Sequence, residues 1–294
     1  MRRILCPVDF SPGSDRAMRV GVRLANEHDA ELVLFHAWQI PATTGDYAFG
    51  TGVVADLGEV AQEMLDQEVR RATELGAKKV TAKLVSGPAW SMIVEELQAG
   101  SIDLVVMGTE GRTGLRRFLL GSVAENVVRH APCPVLTIRP EGELAPFRKV
   151  LVPVDFSAGS RYAMEVAAEM IARDGTAITL LHIVEIPVAY RGRSTLPGAV
   201  EALDQRGAEI LDGWAAALRE KVTVPVRTEW HIGSPGTEVL AVLDADRSYD
   251  LVVTGSHGRT GFRRVLIGSV AEKIVRYASC PVLVARQRET AESS

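Results

Sequence analysis

The first half of the chain alternates between short apolar runs and longer segments whose apolar residues recur at helical spacing. The runs are too short for helices and are typical of buried strands in a parallel sheet. We predict strands over residues 4–8, 31–37, 80–85, 104–107 and 134–138. We predict helices in the segments between them, the first capped by Ser11 or Ser14 and the others over residues 59–75, over residues 89–99 and from Val123.

Strands and helices therefore alternate along this half, and this order determines the fold class. Strands that are connected through helices run parallel, and the helices cover both faces of the sheet. The sequence predicts an α/β domain with a five-stranded parallel sheet. Ligands of such sheets bind at the carboxyl ends of the strands, where the winding direction reverses. Asp9 and Gly108 both stand at the end of a predicted strand, so one crevice is expected to contain both.

The second half of the chain repeats the first. Residues 103–138 return almost unchanged as residues 250–285, and Asp9 corresponds to Asp155. We predict two domains, over residues 1–140 and 149–287, that are joined by the linker 140–149. The strands predicted in the second domain cover residues 150–154, 178–184, 226–231, the residues before Gly255 and 282–285. One predicted helix begins at Ser160 and another at Thr237. Between them we predict a loop over residues 186–198, followed by a helix that ends at Glu220.

A glycine-rich loop follows the fourth predicted strand of each domain. In the first domain Gly108, Gly111 and Gly114 come within seven residues, which frees the backbone to take positive φ values and lets a ligand approach the main chain closely. Ser122 stands where the next helix needs an N-cap, so free amides and a helix dipole meet there. This combination suits a phosphate. The alternative is an ordinary turn and cap beside the solvated side chains of Arg112, Arg116 and Arg117.

A carboxylate ends the first predicted strand of each domain, Asp9 in one and Asp155 in the other. It could accept hydrogen bonds from a ribose hydroxyl or a base amine, or help to hold a divalent cation. The alternative is an N-cap of the following helix. We favour the ligand role because both domains keep the aspartate.

The histidines and the known catalytic motifs give little sign of enzymatic chemistry. His36 and His182 lie inside apolar strands, where a core histidine with a hydrogen-bonded ring is favoured over a proton-transfer role. His257 occurs only in the second glycine loop, because the first loop has Glu110 at that position. The sequence has no P-loop, no H-E-x-x-H and no C-x-x-C pair.

The composition limits the partners and the compartment. A net charge of −4 with interspersed signs leaves no basic face for nucleic acid. Three cysteines do not make a disulfide framework, and Cys133 and Cys280 are expected to be core residues. No uncharged apolar run is long enough to cross a bilayer. We therefore expect a soluble, cytoplasmic protein that binds neither nucleic acid nor membrane.

The glycine spacing resembles a known signature. Gly108, Gly111, Gly121 and Ser122 follow the pattern G-x2-G-x9-G-[ST], which is similar to that of the ATP-binding universal stress proteins. The second domain repeats the pattern, and both domains begin with the segment Pro-Val-Asp-Phe-Ser. Over nearly its whole length the chain resembles a tandem-domain member of this family.

The resemblance implies a fold, a ligand and a role. It implies two Rossmann-like domains of the adenine nucleotide alpha hydrolase type, each with one site for ATP, usually with Mg²⁺ or Mn²⁺, and a regulator of stress response or growth rather than a fast enzyme. The residues it assigns to ATP in the first domain are Pro7, Val8, Asp9, Met107, Gly108, Gly111, Arg112, Gly121, Ser122 and Val123. Their counterparts in the second domain are Pro153, Val154, Asp155, Thr254, Gly255, Gly258, Arg259, Gly268, Ser269 and Val270.

Other functions and the assembly stay open at this point. The chain could be a slow ATPase or a nucleotide hydrolase of the same fold group, or an interaction module in which ATP only fills the structure. The last strand of each domain is apolar on both faces and is expected at a sheet edge. Because family members commonly associate through this strand, we expect an internal pseudo-dimer, with a homodimer and an unidentified protein partner as further options. The long connection over residues 41–58 is expected to form a lid or a partner surface.

Overall fold

The computed structural model describes residues 1–39, 51–110, 120–142, 146–185, 197–258 and 267–287, and for residues 51–55 and 197–205 it describes the backbone alone. The chain divides into two compact units, one formed mainly by Met1–Leu144 and the other by Ala145–Gln287. The predicted pairing of the two halves stays a prediction.

The first unit is a parallel sheet with helices packed against it. Its described strands are β1 (Arg3–Pro7), β2 (Glu31–Trp38), β3 (Val80–Ser86), β4 (Leu104–Gly108) and β5 (Val135–Ile138). Its described helices are α1 (Pro12–Glu27), α2 (Thr51–Glu74), α3 (Ala89–Gln98) and α4 (Ser122–His130). The strands lie in the order β3-β2-β1-β4-β5, so the winding direction reverses between β1 and β4.

The second unit repeats this architecture. Its described strands are β6 (Lys149–Val154), β7 (Ala177–Val184), β8 (Val226–Ile232), β9 (Leu251–Gly255) and β10 (Val282–Ala285), in the order β8-β7-β6-β9-β10. Its described helices are α5 (Ala158–Val166), which continues as a π-helical turn over Ala167–Ile171, α6 (Pro197–Arg219), α7 (Pro235–Ala245) and α8 (Ser269–Tyr277). All strand pairs within this unit are parallel. The predicted α/β fold is therefore confirmed in both halves.

The central strands of each sheet form the core. Ile4 and Leu5 of β1 and Leu104 and Val105 of β4 have no solvent-exposed surface. Burying one such side chain contributes about 1.5–3 kcal/mol relative to leaving it exposed. Because β1 and β4 are neighbours, their carboxyl ends are held close together by this buried layer.

The first helix of each unit begins with a serine cap. The Ser11 hydroxyl accepts a hydrogen bond of 3.2 Å from the backbone N–H of Ser14, which confirms Ser11 as the cap of α1. Ser157 accepts a bond of the same length from Ser160. The helix α5 therefore begins at Ala158, two residues before the predicted start, because the serine equivalent to Ser11 caps it.

The prediction of a long loop over residues 41–58 is wrong for its last residues, because α2 already begins at Thr51. Glycine in this segment suggested a loop, but Gly58 has a packing role: a Cβ on it would lie 3.3 Å from the Trp38 ring. The loop predicted over residues 186–198 likewise ends early, since α6 begins at Pro197. Residues 41–50 and 186–196, with the predicted lid or partner surface, lie outside the described residues.

Gly108 and Gly255 allow two backbones to touch, and neither glycine uses the positive φ that glycine permits. A Cβ built on Gly108 would lie 2.9 Å from the carbonyl carbon of Gly13, in the first turn of α1. A Cβ on Gly255 would lie 2.7 Å from the carbonyl carbon of Gly159 in α5. Close packing of helix on strand, rather than a left-handed conformation, is what excludes a side chain here.

The substitution Gly255→Ala is expected to lower the free energy of unfolding by roughly 1–3 kcal/mol, because the methyl group would overlap the Gly159 backbone. The matched control is Gly213→Ala within α6, where a Cβ meets no described heavy atom within 4 Å. Alanine there should stabilise by about 0.5–1 kcal/mol. Urea denaturation measures both changes, and a Gly255→Ala protein as stable as the parent would contradict the packing role.

Candidate functional site

A cavity of about 280 Å³ lies in the first unit where the winding direction reverses. The ends of β1 and β4 and the start of α4 form much of its wall. The predicted site residues that line it are Pro7, Val8, Asp9, Met107, Gly108, Gly121, Ser122 and Val123. Gly111 and Arg112 lie outside the described residues. Every described residue predicted for this site is thus brought to one cavity.

Part of the cavity wall comes from residues that the sequence did not single out. Phe35 and Ala37 belong to β2, and Ala89 and Ile93 belong to α3. The strand residues could be predicted from the strand order, because Phe35 pairs with the predicted site residue Pro7. The α3 residues have none, since tertiary packing decides where that helix lies over the sheet. The other wall residues that were not predicted are Ser14, His36, Thr109, Glu110 and Ala124.

The turn that starts α1 holds the Asp9 carboxylate. Its Oδ1 accepts hydrogen bonds from the backbone N–H of Ser11 at 3.1 Å and from the Ser11 hydroxyl at 2.6 Å. Asp155 accepts the same two bonds from Ser157, at 3.0 and 2.6 Å. The serines, rather than the aspartates, cap the helices. The carboxylate therefore has a fixed position at the strand end.

The residue after each aspartate has a left-handed backbone, with φ of 63° at Phe10 and 65° at Phe156. Such a conformation costs on the order of 1–3 kcal/mol for a bulky residue and persists only where the surroundings hold it. Each phenylalanine ring packs on a histidine ring, with centroids 4.5 Å apart for His36 and 4.2 Å for His182. Both units thus keep a strained turn next to the candidate ligand carboxylate.

The prediction that His36 and His182 are core histidines with hydrogen-bonded rings is confirmed. Both are buried, and Nδ1 lies 2.7 Å from the carbonyl oxygen of Val8 in the first unit and 2.8 Å from that of Val154 in the second. A carbonyl oxygen can only accept a hydrogen bond, so Nδ1 must carry the proton.

The first turn of α4 presents its backbone amides at the cavity. Gly121 is the N-cap, in an extended conformation with φ of −62° and ψ of 147°, and no described side chain caps the helix. The predicted N-cap role of Ser122 is wrong, because the Gly121 N–H bonds the Thr109 carbonyl at 2.7 Å and fixes Gly121 just before the helix. Amides of a first turn have no acceptor within the helix. Ser122 and Val123 therefore offer N–H groups at the positive end of the dipole.

The second unit arranges its predicted residues in the same way. Gly268 is the N-cap of α8, so Ser269 is the first helical residue rather than the cap. Gly258 lies against the aspartate, since a Cβ on it would be 2.6 Å from Oδ2 of Asp155. Pro153 and Val154 end β6, Thr254 and Gly255 end β9, and Val270 follows Ser269 in α8. Arg259 lies outside the described residues.

The titratable side chains near the strand ends include Cys6, His257 and Glu110. Burial, and secondly the charge of Glu68, raise the pKa of the Cys6 thiol, so this cysteine next to Pro7 stays protonated and is a poor nucleophile. His257 places Nδ1 3.0 Å from the Ser256 hydroxyl, whereas Glu110 holds the equivalent place in the first unit. Among the described residues no group of three His, Cys, Asp or Glu side chains could hold a metal ion.

In the part of the chain that the structure describes, every helix is too short or too polar to cross a bilayer.

Comparison with known proteins identifies the family. The universal stress protein family model matches residues 1–139 and 146–286. A universal stress protein of Mycobacterium tuberculosis (strain ATCC 25618 / H37Rv) is 30% identical over 288 residues, which cover 93% of this chain and 90% of the relative. A relative from Mycolicibacterium smegmatis is 29% identical over 299 residues, with 97% of each chain covered.

The fold has a solved counterpart that covers both units. A universal stress protein from Archaeoglobus fulgidus superposes with a TM-score of 0.72, at 20% identity, over 97% of this chain and 98% of its own. At that identity the likeness shows the fold alone. Together with the family match over both halves, it bears out the tandem architecture that the glycine signature predicted. This chain belongs to the universal stress protein family.

Proposed function

We propose that each unit binds one ATP and that the protein acts as a nucleotide-dependent regulator of stress response or growth. The observation that carries the proposal is the convergence of Asp9, an apolar wall and the amides of the α4 first turn on one cavity. These three features match the sugar, the base and the phosphates of a nucleotide. Membership of a family that includes ATP-binding proteins supports the same ligand.

The apolar side of the cavity suits an adenine ring. Val8, Phe35 and Ile93 line it, and apolar walls with a few placed polar groups are typical of small-molecule sites. Asp9 stands beside them with a carboxylate fixed by Ser11, and a carboxylate can accept a hydrogen bond from a ribose hydroxyl. A fixed acceptor loses little freedom when the ligand binds.

The part of the cavity wall formed by the start of α4 suits the phosphates. A helix N-terminus carries about half a positive charge, and its free amides point towards a bound anion. The extended Gly121 leads into the amides of Ser122 and Val123. Since no described side chain caps α4, an anion there would have no capping group to displace.

The residues also fit a divalent cation that arrives with the nucleotide. Mg²⁺ usually keeps several waters and takes one or two carboxylates together with phosphate oxygens. Asp9 and Glu110 both line the cavity. Among the described residues there is no group of three or more His, Cys, Asp or Glu side chains that could hold a metal ion. A bound Mg²⁺ or Mn²⁺ would neutralise part of the phosphate charge. Asp9 and Glu110 would supply at most a small share of its coordination.

A regulatory role is proposed because the described site lacks the groups of a fast hydrolase. General-base catalysis needs a base within hydrogen-bond reach of the group that it activates. The Asp9 and Asp155 carboxylates are each held by a serine, and the two units differ at the other candidate base, with His257 in one and Glu110 in the other. A function common to both units is therefore binding, with occupancy as the signal.

Calorimetric titration of the nucleotide-free protein with MgATP is expected to give a stoichiometry near two per chain, because both units have the aspartate turn and the glycine cap. The His257 and Glu110 difference predicts unequal affinities. A stoichiometry near one would show that only one unit binds. Absence of any binding heat at several temperatures would contradict the proposal.

The paired substitution Gly121→Val and Gly268→Val is expected to weaken MgATP binding at least about tenfold, because side chains at both caps obstruct phosphate approach. The second unit should keep its fold, since a Cβ on Gly268 lies no nearer than 3.4 Å to its described neighbours. Gly213→Ala, on the outside of α6, is the matched control and should bind like the parent. If the folded valine variant bound MgATP with the parental affinity, the glycine caps would not be part of the binding site.

Turnover of ATP is expected to be far below the roughly 1–1000 per second of ordinary enzymes. Release of phosphate and of AMP from purified protein measures it, with the paired variant Asp9→Ala and Asp155→Ala as the control. Release at several per second that this variant abolishes would favour an ATPase or a nucleotide hydrolase instead.

A further inference from the structure

The strained turn that carries each aspartate is supported by a histidine. His36 of β2 belongs to the cavity wall, and its side chain alternates with those of Phe35 and Ala37 along the strand. In the second unit a Cβ on Gly207 of α6 would be 3.6 Å from Cδ2 of His182. The imidazole therefore lies between the helix layer and the turn.

The histidine holds the peptide directly before the aspartate. The N–H of Val8 donates to the Phe35 carbonyl at 2.9 Å, and the Val8 carbonyl accepts from Nδ1 of His36 at 2.7 Å. Both ends of the residue that precedes Asp9 are thus tied to β2. The orientation of the Asp9 backbone follows from these two bonds.

The same ring also holds the residue after the aspartate. Phe10 packs on His36, and Phe156 packs on His182, and both phenylalanines have the left-handed backbone. A strained φ of this kind requires support from its surroundings. One imidazole therefore contacts the turn on both sides of the candidate ligand carboxylate.

The surroundings of the two turns differ while the histidine contacts stay the same. In the second unit Trp214 packs edge-on against Phe156 with ring centroids 5.4 Å apart, and Arg161 lies 4.6 Å above the Trp214 ring. Glu68 and Asp15 hold the corresponding positions in the first unit, where Arg71 bridges their carboxylates. The Trp214 and Arg161 contacts are found in the second unit and the Arg71 ion pairs in the first. The packing of the phenylalanine on the histidine is found in both units.

We propose that His36 and His182 are positioning residues that set Asp9 and Asp155 for ligand binding, through the carbonyl of the preceding valine and the ring of the following phenylalanine. This inference rests on the proposed nucleotide function. The positioning role acts through the turn and requires no contact between the histidines and the nucleotide.

The test compares two paired replacements in the full chain. His36→Phe with His182→Phe keeps a ring but removes the donor, whereas His36→Asn with His182→Asn keeps a side-chain N–H near the place of Nδ1. The phenylalanine pair is expected to weaken MgATP binding about tenfold, the equivalent of one buried hydrogen bond at the upper end of its range. The asparagine pair should recover part of the loss. Parental affinity in the phenylalanine pair, or no recovery by asparagine, would overturn the inference.

A double-mutant cycle asks whether the histidines act through the aspartates. In a background of Asp9→Ala and Asp155→Ala, the further change to phenylalanine should have little effect on the remaining MgATP affinity. A second full loss there would show that the histidines act by another route. Leu32→Ala controls for lost stability, because Leu32 is buried on β2 at the end far from the turn. An equal loss of affinity in Leu32→Ala would also overturn the inference.

A second measurement separates this inference from the proposed function. Nitrogen NMR of ¹⁵N-labelled imidazoles in nucleotide-free protein should show the tautomer with the proton on Nδ1 at both histidines. Protonation at Nε2 alone would contradict the bond to the valine carbonyl, whatever the protein binds. If the parent chain bound no MgATP, the proposed function would be wrong. The tautomer would still show whether the histidines donate a hydrogen bond to the valine carbonyls.

Discussion

Contact between two glycine backbones sets the geometry on which the candidate site depends. At the end of β4 Gly108 meets Gly13, and at the end of β9 Gly255 meets Gly159, at distances that no side chain would allow. The first turn of α1 can therefore lie directly over the strand end. That position brings the serine cap, and with it the Asp9 turn, to the place where the winding of the sheet reverses.

The convergence at this point combines features with different physical origins. The buried strands β1 and β4 keep their carboxyl ends together, the Ser11 cap fixes the Asp9 carboxylate, and the extended Gly121 leaves the amides of α4 without a described side-chain cap. A negative acceptor and a positive helix end thus face one apolar cavity. A neutral ligand would use only part of this arrangement, whereas the nucleotide that we propose would use all of it.

Much of this was visible in the sequence, because the relevant signals are local or repeated. Short apolar runs predicted the strands, and the recurring glycine spacing predicted the two domains and their family. What could not be predicted depends on contacts between distant residues. The packing role of Gly108 needs Gly13 beside it, the left-handed φ of Phe10 needs His36 under it, and the α3 wall needs the position of that helix over the sheet. The early start of α2 was missed because Gly58 suggested a loop, whereas it packs on Trp38.

The central claim is that nucleotide phosphates bind at the starts of α4 and α8. Amide NMR of the isotopically labelled chain during a MgATP titration tests this claim most directly. The account predicts the largest shift changes at the amides of Ser122 and Val123 and at those of Ser269 and Val270. Binding that left these four amides unshifted while it moved signals elsewhere would contradict the account.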